Sequence, residues 1–143
     1  MSDAAAAPVL AERGELSLVL AGSTMGLRPT YEALSAIEAT LDRGLVDLAR
    51  DALAAKMKLA EAAQIAAECI RAWGRENDNK DAAGAGAERI ARLIIDADGG
   101  LHGALKTIAA MLSMAVTGGY TAEGEIKPST MTTTTMPKAP VDG

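Results

Sequence analysis

The residues of this chain that could do chemistry are few and scattered. His102 is the only histidine and Cys69 the only cysteine. A metal centre needs several nitrogen, sulfur or carboxylate ligands at set spacing, so His102 reads as a polar residue at a helix start. Cys69 lies among Ala62, Ile65, Ala66, Ile70 and Trp73, where a thiol behaves as a small hydrophobe and has no neighbouring base to activate it. Ser23, Ser35 and Ser113 lack the Gly-x-Ser-x-Gly elbow of a serine hydrolase. The segment Gly84-Ala85-Gly86-Ala87-Glu88-Arg89 has the glycines of a phosphate loop, but no preceding strand, third glycine or Gly-Lys-Ser/Thr ending, and reads as a frayed helix start. Carboxylate pairs such as Glu32 with Glu38, or Asp96 with Asp98, are what any acidic helical domain presents to water. The sequence therefore predicts no enzyme, no catalytic residue, no metal site and no cofactor.

The methionines carry more information. Met111 and Met114 stand three apart beside Leu112 and Val116, and Met25 falls in an expected turn. Flexible thioethers suit a surface that packs against irregular apolar partners. Met25, Met111, Met114 and Val116 are the candidate partner-binding residues. Met111 has a competing reading as filler for a core gap left by alanines, and Met114, off the Leu105 to Leu112 line, is the better candidate for a partner-facing side chain.

The elements that must position these residues follow from periodicity. Leu16, Leu18 and Leu20 alternate with Ser17 and Val19, then Ala21 to Gly26 supplies turn residues and Leu27-Arg28 extends again, the pattern of a β-hairpin. An isolated hairpin is marginal in water, so this one must lie on helices or add to another chain's sheet, and its free edge is a candidate interface. Pro29 biases its predecessor toward extended geometry, and Thr30 stands where a hydroxyl would cap the first free amides of a helix. Tyr31, Leu34, Ile37, Leu41, Leu45 and Leu48 then recur at steps of three and four as one apolar stripe. A first helix should run from Tyr31 to about Arg43, with Gly44 in the left-handed turn after it, and a second from Leu45 to about Ala55. Met57 to Leu59 reads either as a loop or as a continuous helix into the third, Ala60 to Trp73. After a charged loop over Gly74 to Lys80, Asp81 could cap a fourth helix from Ala82 to Ala97, loosened by Gly84 and Gly86. Asp98-Gly99-Gly100 breaks it, and a fifth spans Leu101 to Thr117.

These elements predict a mainly α fold, an N-terminal β-hairpin packed on a bundle of about five short helices. The expected organisation is a flexible N-terminus over 1–13, a single domain over 14–118 and a disordered Thr/Pro-rich tail over 119–143, where Pro128, Pro137 and Pro140 accompany the run Thr132 to Thr135. The core should be thin. The 143 residues include no Phe, one Trp and two Tyr, and alanine fills most apolar positions. At about 25 cal/mol per Å², each buried Ala contributes far less than a Leu. Self-association or a bound client is expected to add stability.

The net charge of -5, with acidic and basic residues mixed along the helices, argues against nucleic acid, whose binding needs clustered Lys and Arg. Residues Met1 to Pro8 lack the basic and apolar regions of a signal peptide, and no window reaches the roughly 20 apolar residues of a membrane span. A cytoplasmic setting with no membrane partner is the expectation.

The hairpin segment Gly14 to Leu20, then Leu27-Arg28-Pro29-Thr30-Tyr31-Glu32-Ala33-Leu34 with Ile37, Glu38 and Leu41, Gly44-Leu45, and the helix entry Leu59-Ala60-Glu61, resembles the small tail-gene products of gene transfer agents and siphophage-like prophages, a family also described as phage tail assembly chaperones. The resemblance covers residues 14 to 117, and Arg28, Pro29, Thr30, Tyr31, Glu32 and Leu34 form its most specific motif, a structural one. It implies a non-catalytic morphogenesis factor in the bacterial host cytoplasm. Such a factor binds the tape-measure protein, keeps it soluble and yields to tail-tube subunits as the tube polymerises. The alternative is a structural tail component, a tail-tube or tail-terminator subunit retained in the particle.

Overall fold

The computed structural model describes residues 16–127. The expected flexible segment 1–13 and the tail from residue 128 lie outside them. The helix-dominated α+β expectation holds: among the described residues a two-stranded antiparallel hairpin, β1 (Ser17–Leu20) and β2 (Ser23–Gly26), precedes six helices.

The hairpin is tighter than the alternation suggests. Leu20 pairs with Ser23, which leaves a two-residue turn of Ala21 and Gly22, both at positive φ (54° and 78°). Such a turn matches the right-handed twist of the strands. Met25 is therefore a strand residue opposite Leu18, not a turn residue.

Helix α1 (Tyr31–Leu41) starts as the sequence predicts: the Thr30 hydroxyl accepts the Ala33 N–H at 3.0 Å. Its end differs. Asp42, at φ 54°, takes the left-handed position and donates its N–H to the Glu38 carbonyl. Gly44 is extended and precedes α2 (Leu45–Leu53), whose Leu45 N–H donates to the Glu38 carboxylate at 3.0 Å. An aspartate tolerates the left-handed region well enough to stop α1 two residues early. Arg43, in the link, is held between Asp51 at 2.7 Å and Glu61 at 3.0 Å. The side-chain hydrogen bonds to Asp51 and then Glu61 push its pKa further up.

Met57–Lys58 is part of a short loop, and α3 (Leu59–Glu76) is the longest helix, with the Glu61 carboxylate accepting the Lys58 N–H across its first turn. The face expected from the sequence, Ala62, Ile65, Ala66, Cys69, Ile70 and Trp73, is buried throughout. α3 continues through Gly74 because that glycine faces α4 (Lys80–Ala83): a Cβ there would overlap the backbone of Ala82 and Ala83. The predicted fourth helix is thus two. Gly84 and Gly86 separate α4 from α5 (Ala87–Asp96), and Asn79, not Asp81, caps α4 by accepting the Ala82 N–H. α6 (Gly100–Val116) closes the bundle.

Of the stripe from Tyr31 to Leu48, Ile37 and Leu48 are buried and Leu34, Leu41 and Leu45 pack half-buried against the core; α3 is the core's centre, packed against α1, α4, α5, α6 and β2, while α2 lies on α6. α1 meets α3 through Ala33 and Ile37, both buried. The small Ala33 lets the backbones approach, and the resulting rotation turns Tyr31 outward, 65% exposed, in contrast to its expected core position.

The chain beyond α6 corrects a boundary. Residues 119–127 return as a turn in which Tyr120 bridges Ile126 and the Lys127 N–H donates to the Gly119 carbonyl. Buried Tyr120 packs with the core. The expected unstructured tail begins at 119, whereas residues 119–127 form this turn, held to the hairpin-to-helix junction where the Ala122 carbonyl accepts the Tyr31 N–H.

Candidate functional site

Cys69 is fully buried, and burial, with a smaller contribution from the Glu68 charge, pushes its thiol up to about 12. A thiol so raised stays protonated at neutral pH and is no nucleophile. His102 sits exposed on the first turn of α6. Among the described residues no group of three or more His, Cys, Asp or Glu side chains is placed to hold a metal ion. The Gly84–Gly86 segment is the α4–α5 link, tied to α3 by Arg71, whose guanidinium donates to the Ala85 carbonyl and pairs with Glu68 at 2.8 Å. No helix among the described residues is long and apolar enough to cross a membrane.

The motif Arg28-Pro29-Thr30-Tyr31-Glu32 with Leu34 has a structural task larger than capping. The Arg28 N–H donates to the Cys69 carbonyl in α3, and its Nε donates to the Glu123 carbonyl at 2.9 Å. The Tyr31 N–H donates to the Ala122 carbonyl at 2.8 Å. Gly124, at φ 83°, fits so closely over Arg28, Pro29 and Thr30 that a Cβ would crowd them. Pro29 is fully buried and Leu34 half-buried, while Glu32 is exposed. The junction is therefore a receptor for the 119–127 turn. Sequence reasoning found the motif but missed this role, since a glycine 94 positions away in sequence gives no local signal.

Two of the clefts among the described residues are sizeable. One, of 660 Å³, lies between the junction, α3 and the turn, and brings Arg28 and Arg75 together with Glu32, Glu76, Glu123 and Glu125. Mixed charge of this kind suits a polar protein contact. The other, of 550 Å³, runs along β1 against the end of α5 and the start of α6. Its lining includes Leu18, Leu93, Ala97, Gly103 and Ala104 together with Asp96 and Asp98. Beside it Val19 is 60% exposed.

The four candidate partner-binding side chains separate. Met25 is buried under the hairpin and Met111 fully buried in the α6 face of the core, so neither is a surface side chain of the folded chain. The alanine-rich core leaves gaps that their unbranched side chains fill. Met114 and Val116, near the end of α6, are half-exposed and pack at the core's margin.

A family model described as "Phage tail tube protein, GTA-gp10" matches residues 13–118. The match spans the hairpin and all six helices. No curated protein and no solved structure matches the chain.

Proposed function

Because the chain belongs to the phage tail tube protein family, GTA-gp10, we propose that it is a non-catalytic component of a phage-like tail that acts at the tail tube and is retained there beside the tube subunits. The observation that carries this reading is the family match itself, which covers the whole helical bundle. Its partners are other tail proteins, met through surface clefts and helix faces. Assembly takes place in the bacterial cytoplasm.

A second reading, a tail assembly chaperone that binds the tape-measure protein and leaves before the tail is finished, is favoured by one feature of the fold. Apart from a single isolated bridge, the β-structure of the described residues is one two-stranded hairpin. A tube wall built by sheet pairing needs strands with free edges on both sides of the subunit, and this hairpin is small for that. Half-exposed Met114 and Val116 could instead take the apolar face of a client helix.

Mass spectrometry of purified particles separates the two. The chain found in the particles in fixed ratio to the tube subunit supports the retained component. Its absence from particles, with the tape-measure protein soluble only when coexpressed with this chain, supports the chaperone. In that coexpression Met114→Asp should reduce client recovery while circular dichroism stays unchanged.

A further inference from the structure

The turn at 119–127 holds its own shape and hangs on a hinge. The Lys127 N–H donates to the Gly119 carbonyl at 3.0 Å, the Thr121 N–H to the Glu125 carbonyl at 2.7 Å and the Gly124 N–H to the Thr121 carbonyl at 2.9 Å, while Tyr120 bridges Ile126. The Thr121 hydroxyl accepts the Glu125 N–H across the same turn. A segment bonded to itself in this way moves as one piece. Gly118, at φ 85°, and Gly119, whose N–H donates to the Met114 carbonyl at 2.8 Å, make the reversal that leads into it from α6. Glycine exchanges left-handed for extended geometry at little steric cost, so the hinge opens with the loss of that backbone bond. The family match stops at residue 118, and the turn lies beyond it, whereas the residues it rests on, Arg28 to Tyr31, lie inside the match.

The seat is specific for this segment. It offers the Tyr31 N–H to the Ala122 carbonyl and the Arg28 Nε to the Glu123 carbonyl, with the Arg28 guanidinium 3.7 Å from the Glu125 carboxylate. Only a glycine fits at position 124, where a Cβ would come within 2.8 Å of the Arg28 Cγ and 3.1 Å of the Thr30 nitrogen. Tyr120 is buried, and Ile126 packs at the core's margin. None of these contacts requires turn and seat to belong to the same chain. The turn of a second copy makes the same bonds, so hinge geometry and concentration set the balance between closing on its own seat and crossing to a neighbour's. We propose that residues 119–127 are an exchangeable arm, closed on the chain's own hairpin-to-helix junction when copies are dilute and seated on the junction of a second copy when copies stand at about millimolar local concentration. Two copies that exchange arms reciprocally form a closed two-fold pair.

The exchange does not rest on whether the chain stays in the tail, because the purified full-length protein should show it. By light scattering its mass should rise from 14.6 kDa when dilute toward about twice that near about 1 mM, where a second copy competes with the tethered arm. Gly124→Val, whose arm fits neither seat, should stay a single chain over the same range with unchanged circular dichroism. If it loses helical signal, Arg28→Ala, which spoils the seat instead of the arm, takes its place. A cross-link then identifies the contact. Tyr31→Cys and Ala122→Cys, placed in separate chains, put one thiol on each side of the backbone pair that meets at 2.8 Å, the spacing of neighbouring backbones that a disulfide spans. Because Cys69 is buried, oxidising an equimolar mixture at high concentration should give mainly the mixed pair. Adding Gly124→Val to the Ala122→Cys chain should reduce that pair to the level of like pairs. A single-chain mass throughout, association that Gly124→Val leaves intact, or mixed and like pairs in statistical ratio would each overturn the inference.

Discussion

The Trp73 indole lies directly on Gly26, so closely that a Cβ at that position would overlap the ring. One glycine in β2 and the only tryptophan of the chain, in α3, thereby fix how the hairpin seats on the helices. Gly26→Ala forces the indole or the strand to move, and overpacking of this kind costs about 1–3 kcal/mol. Urea unfolding followed by Trp73 fluorescence measures it directly, since the chain has no second tryptophan. An unchanged midpoint would mean the indole repacks freely.

Ala21 occupies the first turn position at φ 54°, a conformation that costs an L-residue with a Cβ roughly 1–2 kcal/mol. Asn-Gly is the pair that a two-residue turn with both φ values positive favours. Ala21→Asn should therefore raise stability by about 0.5–1 kcal/mol, read as a higher thermal midpoint with the fold unchanged.

Arg28 holds the 119–127 turn through its bond to the Glu123 carbonyl, with Glu125 at 3.7 Å as a looser partner. Arg28→Ala should free that turn while leaving the helices in place. Hydrogen exchange at the Tyr31 amide, which donates to the turn, and at the Lys127 amide, which donates within it, should speed up about tenfold or more as the local opening free energy falls. Amides in the middle of α3 should keep their protection. Faster exchange everywhere would instead assign Arg28 to the global core.

Cys69 makes stability fall at high pH. Its thiol is raised from 9.0 to about 12 in the folded chain, so in the unfolded chain it ionises first. Stability from this residue is fully present below about pH 9 and is lost progressively as pH rises toward about 12. A pH series of urea midpoints should show that decline, and Cys69→Ala should remove the part due to the thiol. Equal slopes in both proteins would show that other groups control alkaline unfolding.

Local chemistry was legible where neighbours in sequence decide the outcome. The alternation of Leu16 to Leu20, the Pro29-Thr30 junction, and the buried face from Ala62 to Trp73 are all in the structure as the residues predict, because hydrogen-bond caps and periodic burial act within a few positions. The motif around Arg28 was also visible. The tertiary structure decided what depends on packing between distant segments. Tyr31 turned outward because α1 meets α3 through Ala33, Gly44 lost the left-handed position to Asp42, and Gly74 stayed helical because α4 crosses it. Met25 and Met111 became core, since an alanine-rich interior must be filled by the flexible side chains nearest its gaps. The turn at 119–127 ordered itself on Arg28 and Thr30, and a contact across more than 90 residues leaves no periodic trace in the sequence. Sequence sets the preferences of each short segment; which face of it is buried is set by the partner it meets, and that partner is known only once the chain has folded.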